Sequence, residues 1–227
     1  MRSPRCDPGS RPVLALVAVT AACGGPTDGM PTPDRQAMCD DIANVYECSR
    51  RVESLALDRG DAVVRRGDTL IVSLADGGEV RLVDRDAGGP GNVLYTYRGH
   101  LDRIGYHVVD VHYYEGGDHV LINERTGVRT TVPAPPVVSP DGQRLVVASA
   151  GGMAGYSPNA LQVWRVPSDS LELEWELEPD WGAEEARWQD AVTVRFLKLH
   201  RCPDRPEVCA TGAVLRLRDG DWEVDEP

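Results

Sequence analysis

The chain has 227 residues, a hydrophobic fraction of 41% and a formal charge of −12. That length supplies one domain, or two small ones, with a sizeable core, and the apolar content excludes a disordered chain. A pI near 4.8 excludes nucleic-acid binding and electrostatic docking on anionic lipid, because no basic surface is available to neutralise rows of phosphates.

Arg2, Arg5 and Arg11 give a positive leading segment, and an apolar run follows from Val13 to Ala22, interrupted by Thr20. Ten helical residues span about 15 Å, half of a bilayer core. Residues 1–22 therefore read as a secretory signal peptide and not as a transmembrane helix. The run ends in Ala21-Ala22-Cys23-Gly24, which resembles the lipobox of bacterial lipoproteins, with Thr20 where that family usually has Leu. The resemblance implies cleavage before Cys23 and lipidation of that cysteine. It further implies an exported, membrane-anchored product on the periplasmic or outer-membrane side of the envelope. Residues 23–33 are rich in Gly and Pro and read as a flexible tether.

Cys6 leaves with the signal peptide, so Cys39, Cys48, Cys202 and Cys209 remain for an oxidising compartment. Cys202 and Cys209 flank a Pro-containing loop and are expected to close it as a local disulfide. On one continuous helix Cys39 and Cys48 would lie about 13 Å apart, too far to bond. Either Cys39 precedes the helix, or these two are not bonded to each other. A four-cysteine zinc site would need closer C-x-x-C spacing at both ends.

Residues 34–58 carry Met38, Ile42, Val45, Tyr46, Val52 and Leu55 near helical spacing, with charges on the other side. One amphipathic helix is expected there, stopped at Arg59-Gly60. From residue 60 to 227 the period changes to two. Thirteen short runs rich in Val, Leu, Thr, Tyr and Trp lie between Ala62 and Val224. Asp76-Gly77, Gly116-Gly117, Thr126-Gly127, Asp141-Gly142 and Asp219-Gly220 mark hairpin turns. The expected fold is all-β, built from antiparallel four-stranded meanders after one N-terminal helix.

Ser139-Pro140-Asp141-Gly142, followed by the strand from Arg144 to Ser149, resembles the S-P-D-G repeat of periplasmic Tol-type β-propellers. Leu161-Gln162-Val163-Trp164-Arg165-Val166 is similar to a Trp-Asp-repeat strand. The whole resembles bacterial envelope lipoproteins with such repeats, which implies a propeller-like arrangement. A curved open sheet or a β-sandwich is the alternative.

The densest polar and aromatic stretch runs from His100 to Glu115. Strand parity puts Tyr106, Val108, Asp110, His112 and Tyr114 on one face, and His107, Val109, Val111 and Tyr113 on the other. The second face is the more apolar and is assigned to the core. The first is the candidate binding face, with Tyr156 of a Gly-rich loop as a neighbour. An Asp110–His112 acid–base pair is the catalytic version of that reading. His107 and His112 have opposite parity, which argues against a shared metal ion. No cofactor motif is present: the Gly-rich loop lacks G-K-[ST] and no G-x-S-x-G elbow occurs. Glu172, Glu174 and Glu176 alternate with Leu171, Leu173 and Trp175 as a solvated strand face.

These features point to a lipid-anchored binding or scaffolding protein of the envelope, with an envelope protein or a small molecule as partner. The alternative is a periplasmic hydrolase using Asp110, His112 and a second carboxylate.

Overall fold

The computed structural model describes residues 38–58, 60, 62–151, 155, 157–202 and 207–225. The signal peptide, Cys23, the tether and Tyr156 lie outside the described residues.

Helix α1 spans Val45–Leu57, shorter than the sequence suggests. Asn44 caps it, and its side chain accepts from the amides of Tyr46 and Glu47 at 2.9 and 3.1 Å. An Asx cap satisfies two of the amides that a helix start leaves without partners, so the helix begins there. Cys39 thus precedes the helix and bonds to Cys48, with Cα atoms 5.5 Å apart. Cys202 and Cys209 are bonded as expected, at 5.2 Å. Both disulfides fit an oxidising, exported compartment. No helix among the described residues is long and apolar enough to cross a membrane.

The rest is antiparallel β-structure in four open sheets. The first is β1 (Val63–Arg66), β2 (Thr69–Ser73) and β3 (Glu79–Val83). The second is β4 (Val93–Leu101), β5 (Tyr106–Tyr113), β6 (Gly117–Asn123) and β7 (Arg129–Val132). The third is β8 (Val137–Val138), β9 (Arg144–Ala150), β10 (Asn159–Arg165) and β11 (Glu172–Leu177). The fourth is β12 (Gly182–Asp190), β13 (Thr193–Arg201), β14 (Val208–Arg218) and β15 (Asp221–Asp225). Strands pair in chain order within every sheet, so each is a meander. The Ser139–Gly142 turn joins the first two strands of the third sheet. Asp141 accepts from Ser139 Oγ at 2.6 Å and from the Gln143 amide at 3.0 Å. Asp219 and Gly220 both have positive φ, which is the geometry a two-residue hairpin between β14 and β15 requires.

Strands β8 and β12 have no counterpart among the sequence-predicted runs. Strand β8 has only two residues. Strand β12, Gly-Ala-Glu-Glu-Ala-Arg-Trp-Gln-Asp, lacks β-branched residues. Its register shifts between Glu184 and Arg187, with Glu185 at φ 52°. A bulge of this kind breaks the period-two pattern by which strands are recognised.

Three apolar cores hold the sheets in series. Val63, Leu70, Val72 and Leu82 of the first sheet meet Tyr97, Val109 and Ile122 of the second. Tyr106, Val108, Leu121 and Val132 meet Val138, Leu145 and Val147 of the third. Val146, Leu161 and Val163 meet Val194, Phe196, Leu215 and Trp222 of the fourth. The second and third sheets are therefore covered on both faces.

Helix α1 docks through charged groups on the outer edge of β4, beyond the bridge that joins Val93 to Arg85. Glu53 Oε1 accepts from the Tyr97 amide at 2.7 Å and from Arg65 at 2.8 Å. Arg50 donates to Glu53 Oε2 at 2.6 Å. Asp84 accepts from the Tyr95 amide at 2.8 Å, and from Arg65 and the Tyr46 hydroxyl at 3.1 Å each. Arg65 also donates to the Tyr95 carbonyl. Side chains thus satisfy edge groups of β4 that a further strand would otherwise pair.

Candidate functional site

A cavity of about 640 Å³ lies between α1, the first sheet and the turn end of the β4–β5 hairpin. Its size falls in the range of small-molecule sites. Val52, Leu55 and Ala56 of the helix, with Val63 and Leu74 of the first sheet, supply an apolar floor. The opposite wall is polar: Tyr97, His100, Asp102, His107 and Glu124.

The hairpin explains how these side chains meet. Leu101 pairs with Tyr106, and His100 pairs directly with His107, across the turn Asp102-Arg103-Ile104-Gly105. The two imidazoles lie 4.6 Å apart, centroid to centroid. His100 Nδ1 is 2.6 Å from Asp102 Oδ1. Its Nε2 is 2.9 Å from Glu124 Oε2, but out of line for a hydrogen bond, which leaves a buried ring nitrogen without one. Tyr97 and His107 share a hydrogen bond of 3.1 Å between the hydroxyl and Nδ1. Gly105 has φ 68°, and a Cβ there would stand 2.8 Å from Glu124 Oε1. The positive φ is what calls for a glycine at this turn, and a side chain there would also displace the end of Glu124.

Burial, reinforced by the neighbouring His100, pushes the His107 imidazole down from 6.5 to about 4. Burial, helped by the charge of Asp102, pushes the Tyr97 phenol well above its ordinary value. At neutral pH the wall therefore presents a neutral imidazole and a neutral phenol. As pH falls, the unfolded chain protonates His107 first, near 6.5, while the folded chain keeps it neutral down to about 4. The stability this group contributes is complete above 6.5 and is lost between 6.5 and 4. Urea unfolding across that window is expected to lose about 2–3 kcal/mol. The slope should flatten in His107→Gln. An equal slope in wild type and variant would refute the assignment.

The residues singled out from the sequence do not form one site. Tyr106 is 1% exposed and belongs to the core between the second and third sheets. Asp110, expected on a solvated face, is 6% exposed. It accepts from Arg98 at 3.1 and 3.3 Å and lies 2.8 Å from His119 Nδ1. His112 Nε2 is 2.8 Å from the Thr96 hydroxyl. His112 and Tyr114 line a different, wider cavity of about 1030 Å³ beside Tyr46 and Asp84. Tyr114 is 62% exposed there, while Tyr113, expected in the core, is also exposed. His107, Val109 and Val111 are buried as expected. Parity assigns the faces of β5 correctly, but both faces are covered, so the choice of a wet face fails.

Glu124 was not marked by any sequence motif. His100, Asp102 and His107 stand in the polar stretch, and the four-residue turn ending in Gly was the signal that sets His100 opposite His107. Among the described residues no group of three His, Cys, Asp or Glu side chains is placed to hold a metal ion. Comparison with family models, with curated proteins and with solved structures finds no match to this chain.

Proposed function

We propose that this chain is a lipid-anchored, exported binding module of the bacterial envelope, and that the cavity between α1 and the first two sheets receives its ligand. The observation that carries this reading is the character of the polar wall. General acid–base groups work best when their pKa lies near the operating pH. His107 and Tyr97 are displaced from neutrality in opposite directions. They can recognise a ligand by hydrogen bonds but are poorly matched to move its protons. The apolar floor opposite them supplies the burial that a small-molecule site needs.

The hydrolase alternative loses support from Asp110 and His112. Asp110 is held by Arg98 and His119, His112 by Thr96, and Asp110 lines neither cavity described above. The export signal, the Ala-Ala-Cys ending and the two disulfides support the envelope location. The S-P-D-G turn supports a propeller-type relationship of the sheets.

The test is native mass spectrometry of the full chain extracted in mild detergent from its own envelope. Wild type is expected to carry a bound mass that Ser73→Trp, which fills the cavity mouth, does not carry. Equal retention by both would place the binding elsewhere, and an empty wild type would remove the reading. Separately, Cys23→Ser is expected to move the protein from the detergent phase to the soluble exported fraction. Unchanged partitioning would remove the lipid anchor.

A further inference from the structure

We infer that the cavity between α1 and the first two sheets takes an organic cation: an ammonium head held at the Asp102–Glu124 mouth, with a hydrocarbon body lying over Val52, Leu55 and Leu74. This rests on the reading of that cavity as the binding site and names the chemistry of its ligand.

Three observations point the same way. The first is the charge of the lining. Its ionisable groups are Tyr97, Arg98, His100, Asp102, His107 and Glu124. Arg98 is the extra residue at the register shift between Tyr97 and Gly99, and its guanidinium is engaged with Asp110. Its charge is therefore spent away from a ligand. His107 and Tyr97 are neutral at neutral pH. Two carboxylates remain against the one imidazole of His100, which lies 2.6 Å from Asp102 and 2.9 Å from Glu124; even with that ring charged the lining is net negative and favours a positive group over a negative one.

The second is the division of the cavity. The carboxylates stand toward solvent, Asp102 with its side chain 92% exposed and Glu124 with 41%. Of the apolar lining, Val63 and the aromatic ring of Tyr97 are buried and Val52 and Leu74 are half-buried, while Leu55 stands at the rim, as open as Glu124. A charged head at the mouth keeps part of its hydration while the apolar body is buried, which avoids the cost of burying a bare charge. The buried Tyr97 ring adds an aromatic surface against which the hydrocarbon body can pack. The third is the whole-chain charge of −12, whose field draws cations toward the surface and repels anions.

The experiment uses the mature chain and three eight-carbon probes below their micelle-forming concentrations: octyltrimethylammonium, octanol and octanoate. Titration calorimetry is run on wild type, on the double variant Asp102→Asn/Glu124→Gln, and on Ser73→Trp. Urea midpoints check that each variant is folded. The ammonium probe is expected to bind wild type about tenfold more tightly than octanol, and octanoate more weakly than either. The double variant should erase that tenfold advantage and leave octanol unchanged. Raising the salt from about 0.05 to about 0.5 M should weaken only the ammonium probe. Octanoate binding as tightly as the ammonium, or an ammonium affinity unchanged in the double variant, would overturn the cation assignment. If octanol binds and Ser73→Trp abolishes it while no charge preference appears, the cavity is a site and the ligand class is wrong. If none of the three probes binds, the inference fails together with the site.

Discussion

Replacing Glu53 by Gln is expected to destabilise the domain by about 3–5 kcal/mol, measured as a lowered urea midpoint with an unchanged slope. Glu53 is 2% exposed, on the face of the helix that meets β4. Its carboxylate takes two guanidiniums, Arg50 and Arg65, and the Tyr97 amide. A neutral amide keeps the shape but cannot accept on both oxygens, and its NH₂ would face an arginine. Arg65, with its side chain only 7% exposed, would be left with Asp84 as its one charged partner. Desolvation already spent on a buried ion is recovered only through its partners, so removing one partner costs more than the pair is worth. Arg65→Met should cost a similar amount, and the double variant less than the sum. A Glu53→Gln protein as stable as wild type would show that the network is solvated and the docking of α1 is apolar.

Asp110→Asn is expected to cost about 3 kcal/mol, with the folded state retained. Parity alone anticipates almost no effect, because it puts Asp110 on a solvated face. The structure instead buries it within its own sheet, against Arg98 of β4 and His119 of β6 and across from the buried Thr96. Asparagine leaves Arg98, whose side chain is 17% exposed, without its counter-charge. Val109→Asp, one residue earlier, puts a carboxylate among Val63, Leu70 and Ile122 with no cation in the cluster. It is expected not to fold. Chemical denaturation of Asp110→Asn decides the matter: a change below about 0.5 kcal/mol, the usual effect of a surface substitution, would restore the solvated face.

The contrast between these two positions explains what was legible in the sequence. Strand identity is local: alternation, β-branched residues and Asp-Gly turns locate most of the fifteen strands named above. Burial of a face depends on what lies above it. A sheet between two others has no wet side, and its central strand reads as an apolar run, here Val108, Val109 and Val111. Alternation reads the polar residues inside that run as marks of water, but neighbouring strands hold them: Asp110 meets Arg98 and His119, and His112 meets Thr96. The cavity wall was less legible still. Glu124 lies more than twenty residues beyond His100 and reaches it because β6 pairs with β5, across the open space beside Gly105. The helix start is missed as well: apolar spacing carries it back to residue 34, whereas Asn44, whose side chain accepts from the first amides, begins it at Val45.

The Cys39–Cys48 bond also decides how mechanical force would enter the domain. A pull arriving through the residues before Met38 reaches Cys39 and crosses the disulfide to Cys48, which lies inside α1. The residues between the two cysteines are bypassed. The helix therefore cannot be peeled from its first turn, one hydrogen bond at a time. Tension is delivered instead to the segment that carries Glu53, where the short bonds of its carboxylate to Arg65 of β1 and to the Tyr97 amide of β4 share it at once. Contacts stretched together resist a pull far better than contacts broken in succession, so an anchored chain would be held by its sheet and not by its leader.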